Sequence, residues 1–389
     1  MKKLINIAFL ALFVLTIFSS CSLLSAGDDS SSLTITLPAS KDRATISCSS
    51  YSVELKSSAA QYRQSGIAGS TIKFSNLAIG EYSVLVYGFD SSNAITAFGN
   101  AEAKVKSHEN TEVSIALSKA ISTWEQLENY LDANKDMESV ELFIAGTLSA
   151  DSKIEIENTV IIKVAQNTKI QRATSYKDPI LYVKAGGYLT LYGDSASYLE
   201  FDGKNVPALS PLIQLDNGTG LSMNYCSVQN CTASTNNDSF SGSALCIEGS
   251  SSDKASVSLH NCNFKNNSST DSGAAIYLNH TTAILNNVTF TKNSAVNGGA
   301  LYLADSSASV LLPLSFSGNS ASNCGGAVFI NEDSSFSDKS KSSYSGNTCA
   351  DPASEKGSNI YCKQSGEYLL DSAEISETDT DKGFVKSTD

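Results

Sequence analysis

The residues of this chain that could do chemistry are few and scattered. Asp202 and Asp216, with Lys204 and Arg172, make the best acid–base set. Paired carboxylates beside a cation can protonate a leaving oxygen and activate water, the chemistry of glycan cleavage. The triplet Asp202-Gly203-Lys204 reads equally well as a plain turn. His108, His260 and His280 are the only histidines, and none has a partner at ligand spacing. No C-x-x-C, G-x-S-x-G, P-loop or dinucleotide fingerprint occurs, so no metal and no cofactor is expected. Asp379-Thr380-Asp381 opens like a calcium loop but lacks the later ligands. An enzyme acting on glycans, resting on Asp202, Lys204, Asp216 and Arg172, is therefore the secondary reading.

One cysteine carries a different chemistry. Lys2 and Lys3 precede an apolar run, Leu4 to Phe18, followed by Ser19-Ser20-Cys21. A basic start and a short apolar stretch make residues 1–20 a secretory signal. Cysteine after small residues resembles a bacterial lipobox, which makes Cys21 the expected lipidation site and the membrane the expected partner. The Ser/Gly/Asp stretch over 21–32 is then a flexible tether. The other eight cysteines sit in an extracytoplasmic context where inter-coil disulfides and buried thiols are both open readings. Cys226 and Cys262 share one register, and Cys324 and Cys349 lie one repeat apart.

The net charge is −13, and Arg43, Arg63 and Arg172 are the only arginines. Nothing in such a chain neutralises a phosphate backbone, so no nucleic-acid partner is expected.

The elements that must position these residues come from a repeat. Phe264, Phe290, Phe316 and Tyr344 each open an aromatic-x-x-Asn motif, closed by Asn267, Asn293, Asn319 and Asn347. The aromatics are 26, 26 and 28 residues apart. Gly273-Ala-Ala-Ile276, Gly298-Gly299-Ala-Leu301, Gly325-Gly326-Ala-Val328 and Gly357-Ser-Asn-Ile360 follow in turn. A fixed period in the twenties means stacked identical units. Within each unit the apolar residues alternate, as in Val257, Leu259, Cys262 and Phe264, which is strand periodicity. No helix fits beside two or three such strands, so each unit predicts one coil of a parallel β-helix. Like then sits on like: the aromatics form an inward column and the asparagines a ladder. Asn261 and Asn287 suit a bend that needs left-handed backbone. The glycine pairs suit a corner with no room for a Cβ.

These F-x-x-N and G-G-A-[ILV] signatures resemble the repeats of the chlamydial polymorphic outer-membrane proteins, over roughly residues 221–362. The resemblance implies a right-handed parallel β-helix displayed on the bacterial surface, with an adhesive role. No alternating ten-residue apolar strands follow the repeats, so the lipid at Cys21 is expected to provide the attachment.

The fold class expected is all-β. Residues 33–118 hold short strands separated by turn residues and predict a small β-sandwich, similar at Asn76-Leu-Ala-Ile-Gly-Glu-Tyr82 to transthyretin-like and carboxypeptidase-regulatory-like stalk modules. The β-helix is expected over 119–370, capped by a helix from Ser122 to Leu131 with a Ser122/Glu125 capping box and Trp124, Leu127 and Leu131 on one face. Residues 371–389 read as an acidic tail, unstructured beyond Glu374. The segments 232–241, 268–272, 294–297, 320–324 and 348–356, between the two signatures, are expected to emerge as loops along one rim. A host-matrix protein or a glycan is the partner expected there.

Overall fold

The structure is a computed structural model, and it describes residues 31–37, 48–93, 95–164, 168–193, 195, 198–234, 242–349, 357–363, 365–370, 373–374 and 384–386. The signal segment, Cys21, Asp379 and most of the tether lie outside the described residues.

Two sheets face each other in the N-terminal part. Ser32–Thr36 pairs antiparallel with Thr71–Ser75 and parallel with Asn110–Val113. The second sheet has five strands, in the order Gln61–Ile67, Ser50–Lys56, Gly80–Phe89, Ile95–Val105 and Ser118–Lys119. Alternation puts Leu33, Ile35, Val53, Leu55, Val84 and Val86 into one core between them. Gln61–Ile67 has no apolar alternation because it is an edge strand with most of its residues in water, and the sequence pattern misses it.

From Ser139 the chain winds as a parallel β-helix. Each coil adds a strand to three sheets of eight, nine and ten strands. The eight-stranded sheet runs from Thr147–Ala150 to Ser343–Ser345, and the nine-stranded one from Ile154–Ile156 to Phe384–Lys386. The ten-stranded sheet runs from Ser139–Ile144 to Glu367–Leu370, where Ala373–Glu374 turns back antiparallel. The acidic tail thus holds two short paired strands, and the one beyond Glu374, where no structure is expected, is Phe384–Lys386, which extends the nine-stranded sheet on Ile360–Cys362.

A fourth, five-stranded sheet was not expected. It is built from Pro207–Ala208, Thr232–Ala233, Ser268–Ser269, Ser294–Asn297 and Ser320–Cys324. The segments expected as loops at 268–272, 294–297 and 320–324 are therefore paired backbone. They read Ser-Ser-Thr-Asp-Ser, Ser-Ala-Val-Asn and Ser-Ala-Ser-Asn-Cys, and strands this short, burying side chains as small as Ser269, Ala295 and Ala321, show too little apolar alternation to be seen in the sequence.

The helix Trp124–Ala133 covers the first coil, with Trp124, Leu127 and Leu131 buried against it. Its cap is one residue later than the capping box expected. Thr123 is the N-cap, and its hydroxyl accepts from the Gln126 amide (3.2 Å), while the Gln126 side chain accepts from the Ser122 amide (3.1 Å). Gln126, not Glu125, stands three residues after the cap and can reach back. An open first coil would present unpaired strand edge and apolar core, and the helix removes both.

The two parts of the chain are packed together. Tyr87 and Phe98 of the sandwich bury against Phe143, with Phe98 and Phe143 stacked at 3.6 Å between ring centroids. The backbone is continuous through this contact, since Ala120 donates to Thr96 and Ile121 donates to Phe143.

Candidate binding surface

The repeat signatures build the scaffold from inside. Val228, Phe264, Phe290, Phe316 and Tyr344 face one another in register on successive strands. Phe264, Phe290 and Phe316 are fully buried, and the rings stack at 5.4, 4.8 and 5.0 Å along the column. In-register parallel strands are separated by about the thickness of a ring pair, so the column fills its space without a gap.

Beside it runs the asparagine ladder. Asn293 Oδ1 accepts from both the backbone amide (3.1 Å) and the side-chain amide (3.0 Å) of Asn267. Asn293 Nδ2 in turn donates to Asn319 Oδ1 (2.9 Å) and to the Phe264 carbonyl (3.1 Å). Asn319 repeats the pattern onto Asn347, and Asn347 donates to Asn359. The ladder ends at Cys231, whose backbone amide donates to Asn267 Oδ1 (3.1 Å). Each asparagine satisfies backbone groups that a tight corner would otherwise strand in the core. Asn261 and Asn287 take left-handed backbone at a second corner, φ 53° and 50°, and are joined side chain to side chain at 2.7 Å.

The glycine pairs mark the corner leading into the nine-stranded sheet. Gly298 and Gly325 have φ of 59° and 64°. At Gly299 a Cβ would come within 2.2 Å of the Gly326 carbonyl oxygen, and at Gly326 within 2.1 Å of that of Ser358. The coils can stack this closely only without a side chain there.

The acid–base candidates are not gathered into one site. Asp202 ends the strand Leu199–Asp202 of the eight-stranded sheet, whereas Asp216 follows Ile213–Leu215 of the nine-stranded sheet. Asp202 is buried and accepts from Lys169 Nζ (2.7 Å), the Lys204 backbone amide (2.8 Å) and Asn230 Nδ2 (3.2 Å). Burial alone would raise its pKa, but these donors outweigh it and hold the carboxyl below its ordinary value. Arg172 is buried too, and its guanidinium donates to the carbonyls of Asp178 and Pro211. Lys204 is an exposed turn residue with φ 58°. Asp202 and Arg172 brace backbone turns.

The eight described cysteines are buried, and no disulfide links them. Cys226 and Cys262 stack in the core on neighbouring coils, and burial first, then their mutual contact, raises the Cys226 pKa far above its ordinary value. Among the described residues no group of three His, Cys, Asp or Glu side chains is placed to hold a metal, and no helix is long and apolar enough to cross a membrane.

On the outside of the coils lies a second aromatic column. Tyr277, Tyr302, Phe329 and Tyr361 pair in register on the outer face of the nine-stranded sheet, with rings stacked at 5.3, 4.8 and 5.2 Å. The signal was present, since an aromatic residue follows each G-x-x-[ILV] in these coils, but alternation alone does not say which neighbour faces inward. Burial, and then Asp271, Asp305 and Glu332 nearby, push the Tyr302 hydroxyl up to about 12. Next to this face runs the fourth sheet, where Asn323 Nδ2 donates to Asn297 Oδ1 (2.9 Å) and Ser320 to Ser294 (3.0 Å). Residues 235–241 and 350–356, the greater part of the two long rim segments, lie outside the described residues.

Residues 261–279, 287–304 and 313–331 match the Chlamydia polymorphic membrane protein repeat. Each match spans one aromatic-x-x-Asn motif, one glycine corner and the strand after it. No curated protein and no solved structure matches the chain.

Proposed function

We propose that this chain is a lipid-anchored protein of the bacterial cell envelope that displays its β-helix at the outer surface and holds a protein or glycan partner along one rim. The observation that supports this most directly is the stack of three polymorphic-membrane-protein repeats, whose aromatic strands pair in register. Such a stack is rigid, and it lines up the same outer positions of every coil, which suits contact with an extended partner. Cys21, behind the apolar run Leu4 to Phe18, supplies the anchor in this reading, and the sandwich lifts the β-helix away from the bilayer.

Labelled palmitate is expected to enter the parent chain and not Cys21→Ala, which is expected in the soluble fraction. Equal membrane partition of the two forms would refute the anchor. Protease treatment of intact cells is expected to remove the ectodomain, and full protection would place it on the other side of the membrane. For the rim, shortening 232–241 and 348–356 to four residues is expected to abolish binding to host-matrix proteins or glycans while the melting curve stays cooperative. In the same assay Asp202→Asn is expected to bind as the parent does. Binding that survives the shortening would rule the rim out.

A further inference from the structure

Two cavities lie beside the first strands of the nine-stranded sheet, in the coils that precede the repeats. One, of about 430 Å³, lies over Tyr182 and Gln214, with Asp178, Pro179, Leu209 and Lys153 around it. The other, of about 610 Å³, shares Lys153 and continues between the strand Ile154–Ile156 and the capping helix. Each is the size of a small-molecule site, and joined end to end they form a trough along the coils.

Gln214 lines the first of these cavities. It faces outward between Tyr182 and Cys246 and is only 8% exposed. Yet its side-chain amide lines the cavity and has no hydrogen-bond partner among the described residues. The amide opens on the cavity, where solvent or a ligand can satisfy it. The outer columns elsewhere find partners along the axis, as Asn323 and Asn297 do.

The surroundings define what that partner is. Pro179 and the half-exposed Leu209 offer apolar surface beside the Tyr182 ring. The ring is held as a fixed wall, since its hydroxyl donates to Asp216 Oδ2 (2.6 Å) and Lys153 Nζ sits 5.1 Å from its centroid. Gln214 supplies a planar donor and acceptor, and Asp178 an exposed carboxylate. Apolar surface edged by an amide and a carboxylate is complementary to a pyranose, whose C–H face packs on the former while its hydroxyls bond the latter. The charges select among glycans. Lys153 is paired with Glu155 (2.8 Å), Lys184 with Glu155 and Glu157 (2.6 and 2.9 Å), and Lys135 with Asp132 (2.9 Å). With each of these ammonium groups already neutralised, a sulfate or uronate finds no counter-charge here and meets an excess of carboxylates.

We propose that this trough binds a neutral oligosaccharide, with one pyranose over Tyr182 and Gln214 and its neighbour directed along Glu155 toward the capping helix. The site precedes the rim segments in the chain and stands independently of the surface reading above.

The full chain carries its own reporter. Trp124 is the only tryptophan, and its indole N–H donates to Ser152, the residue before Lys153 (2.9 Å). Maltotetraose, cellotetraose and chitotetraose are titrated by calorimetry and by Trp124 fluorescence, with a heparin tetrasaccharide as the anionic comparator. Saturable binding of at least one neutral tetrasaccharide is expected, weakened about tenfold or more by Gln214→Ala and by Tyr182→Ala. Leu209→Asp, at an exposed position that leaves the fold intact, is expected to weaken it as well. Asn323→Ala, in the fourth sheet, is expected to leave it unchanged, which keeps this site distinct from the rim. The proposal is overturned if none of the neutral tetrasaccharides binds, if binding is the same in Gln214→Ala and Leu209→Asp as in the parent, or if the heparin fragment binds more tightly.

Discussion

Asn293 shows how one side chain can hold a coil corner. Its amide bridges three coils through four hydrogen bonds, two accepted from Asn267 and two donated, to Phe264 and Asn319. Asn293→Ala strands the buried Asn267 amides and is expected to cost about 2–4 kcal/mol. Phe290→Ala, at the middle of the stacked column, should cost about 3–5 kcal/mol by leaving a ring-sized hole. Urea melts of both variants measure this, and a loss below about 1 kcal/mol at either position would contradict the inward assignment. Asp202 makes a prediction of a different kind. Its folded pKa lies below the ordinary value of 3.8, so its stabilisation is present above that value and is lost as the pH falls through the folded pKa. Acid titration of the melting temperature should therefore be shallower below about pH 4 in Asp202→Asn than in the parent. An unchanged acid limb would mean that the Lys169 pair contributes nothing.

At the scale of elements, the capping helix and the fourth sheet do opposite work. The helix closes the first coil with three apolar residues and a Thr123 cap. Thr123→Ala should cost about 1 kcal/mol, the usual loss of a capping hydroxyl. Leu127→Asp should do more than destabilise, because it lifts the helix off an open sheet edge. Concentration-dependent oligomers in size-exclusion chromatography are expected, and a strictly monomeric variant would show that the edge needs no cover. The fourth sheet instead keeps polar segments regular. Three short stretches of mostly small and polar residues that would wander as loops are tied coil to coil through Ser268–Ser269, Ser294–Asn297 and Ser320–Cys324. A partner on this side therefore meets a preordered polar surface, which lowers the entropy lost on binding.

At the scale of the whole molecule, the sandwich is docked to the β-helix rather than strung from it. The Phe98–Phe143 stack, with Tyr87 beside it, sits where backbone hydrogen bonds also cross. A spacer read from sequence alone suggests a hinge, since domains joined by a short segment move by default. Phe143→Ser is expected to free the two parts, so that one calorimetric transition becomes two and the radius of gyration grows. A single unchanged transition would show that the aromatic contact is incidental.

The period of the aromatics, the alternation around them and the paired Asn and Gly motifs determine the β-helix from sequence alone. Each of those signals is local, and stacking in register only repeats it: Phe264 finds Phe290 because both are one coil apart. What the sequence left undecided needed a neighbour in space. Asp202 and Arg172 look equally like catalytic or structural groups until Lys169, Asn230 and the Pro211 carbonyl are seen to occupy them. Tyr277 and Ile276 are adjacent and both apolar in part, and only the packing shows Ile276 in the core and Tyr277 on the outer face. The fourth sheet gives only a weak apolar signal, because its strands are two to five residues long and the side chains they bury, Ala208, Ala233, Ser269, Ala295 and Ala321, are small. Gln214, similarly, is an ordinary polar residue in the chain. It becomes informative only once the fold has placed its amide in the wall of a cavity.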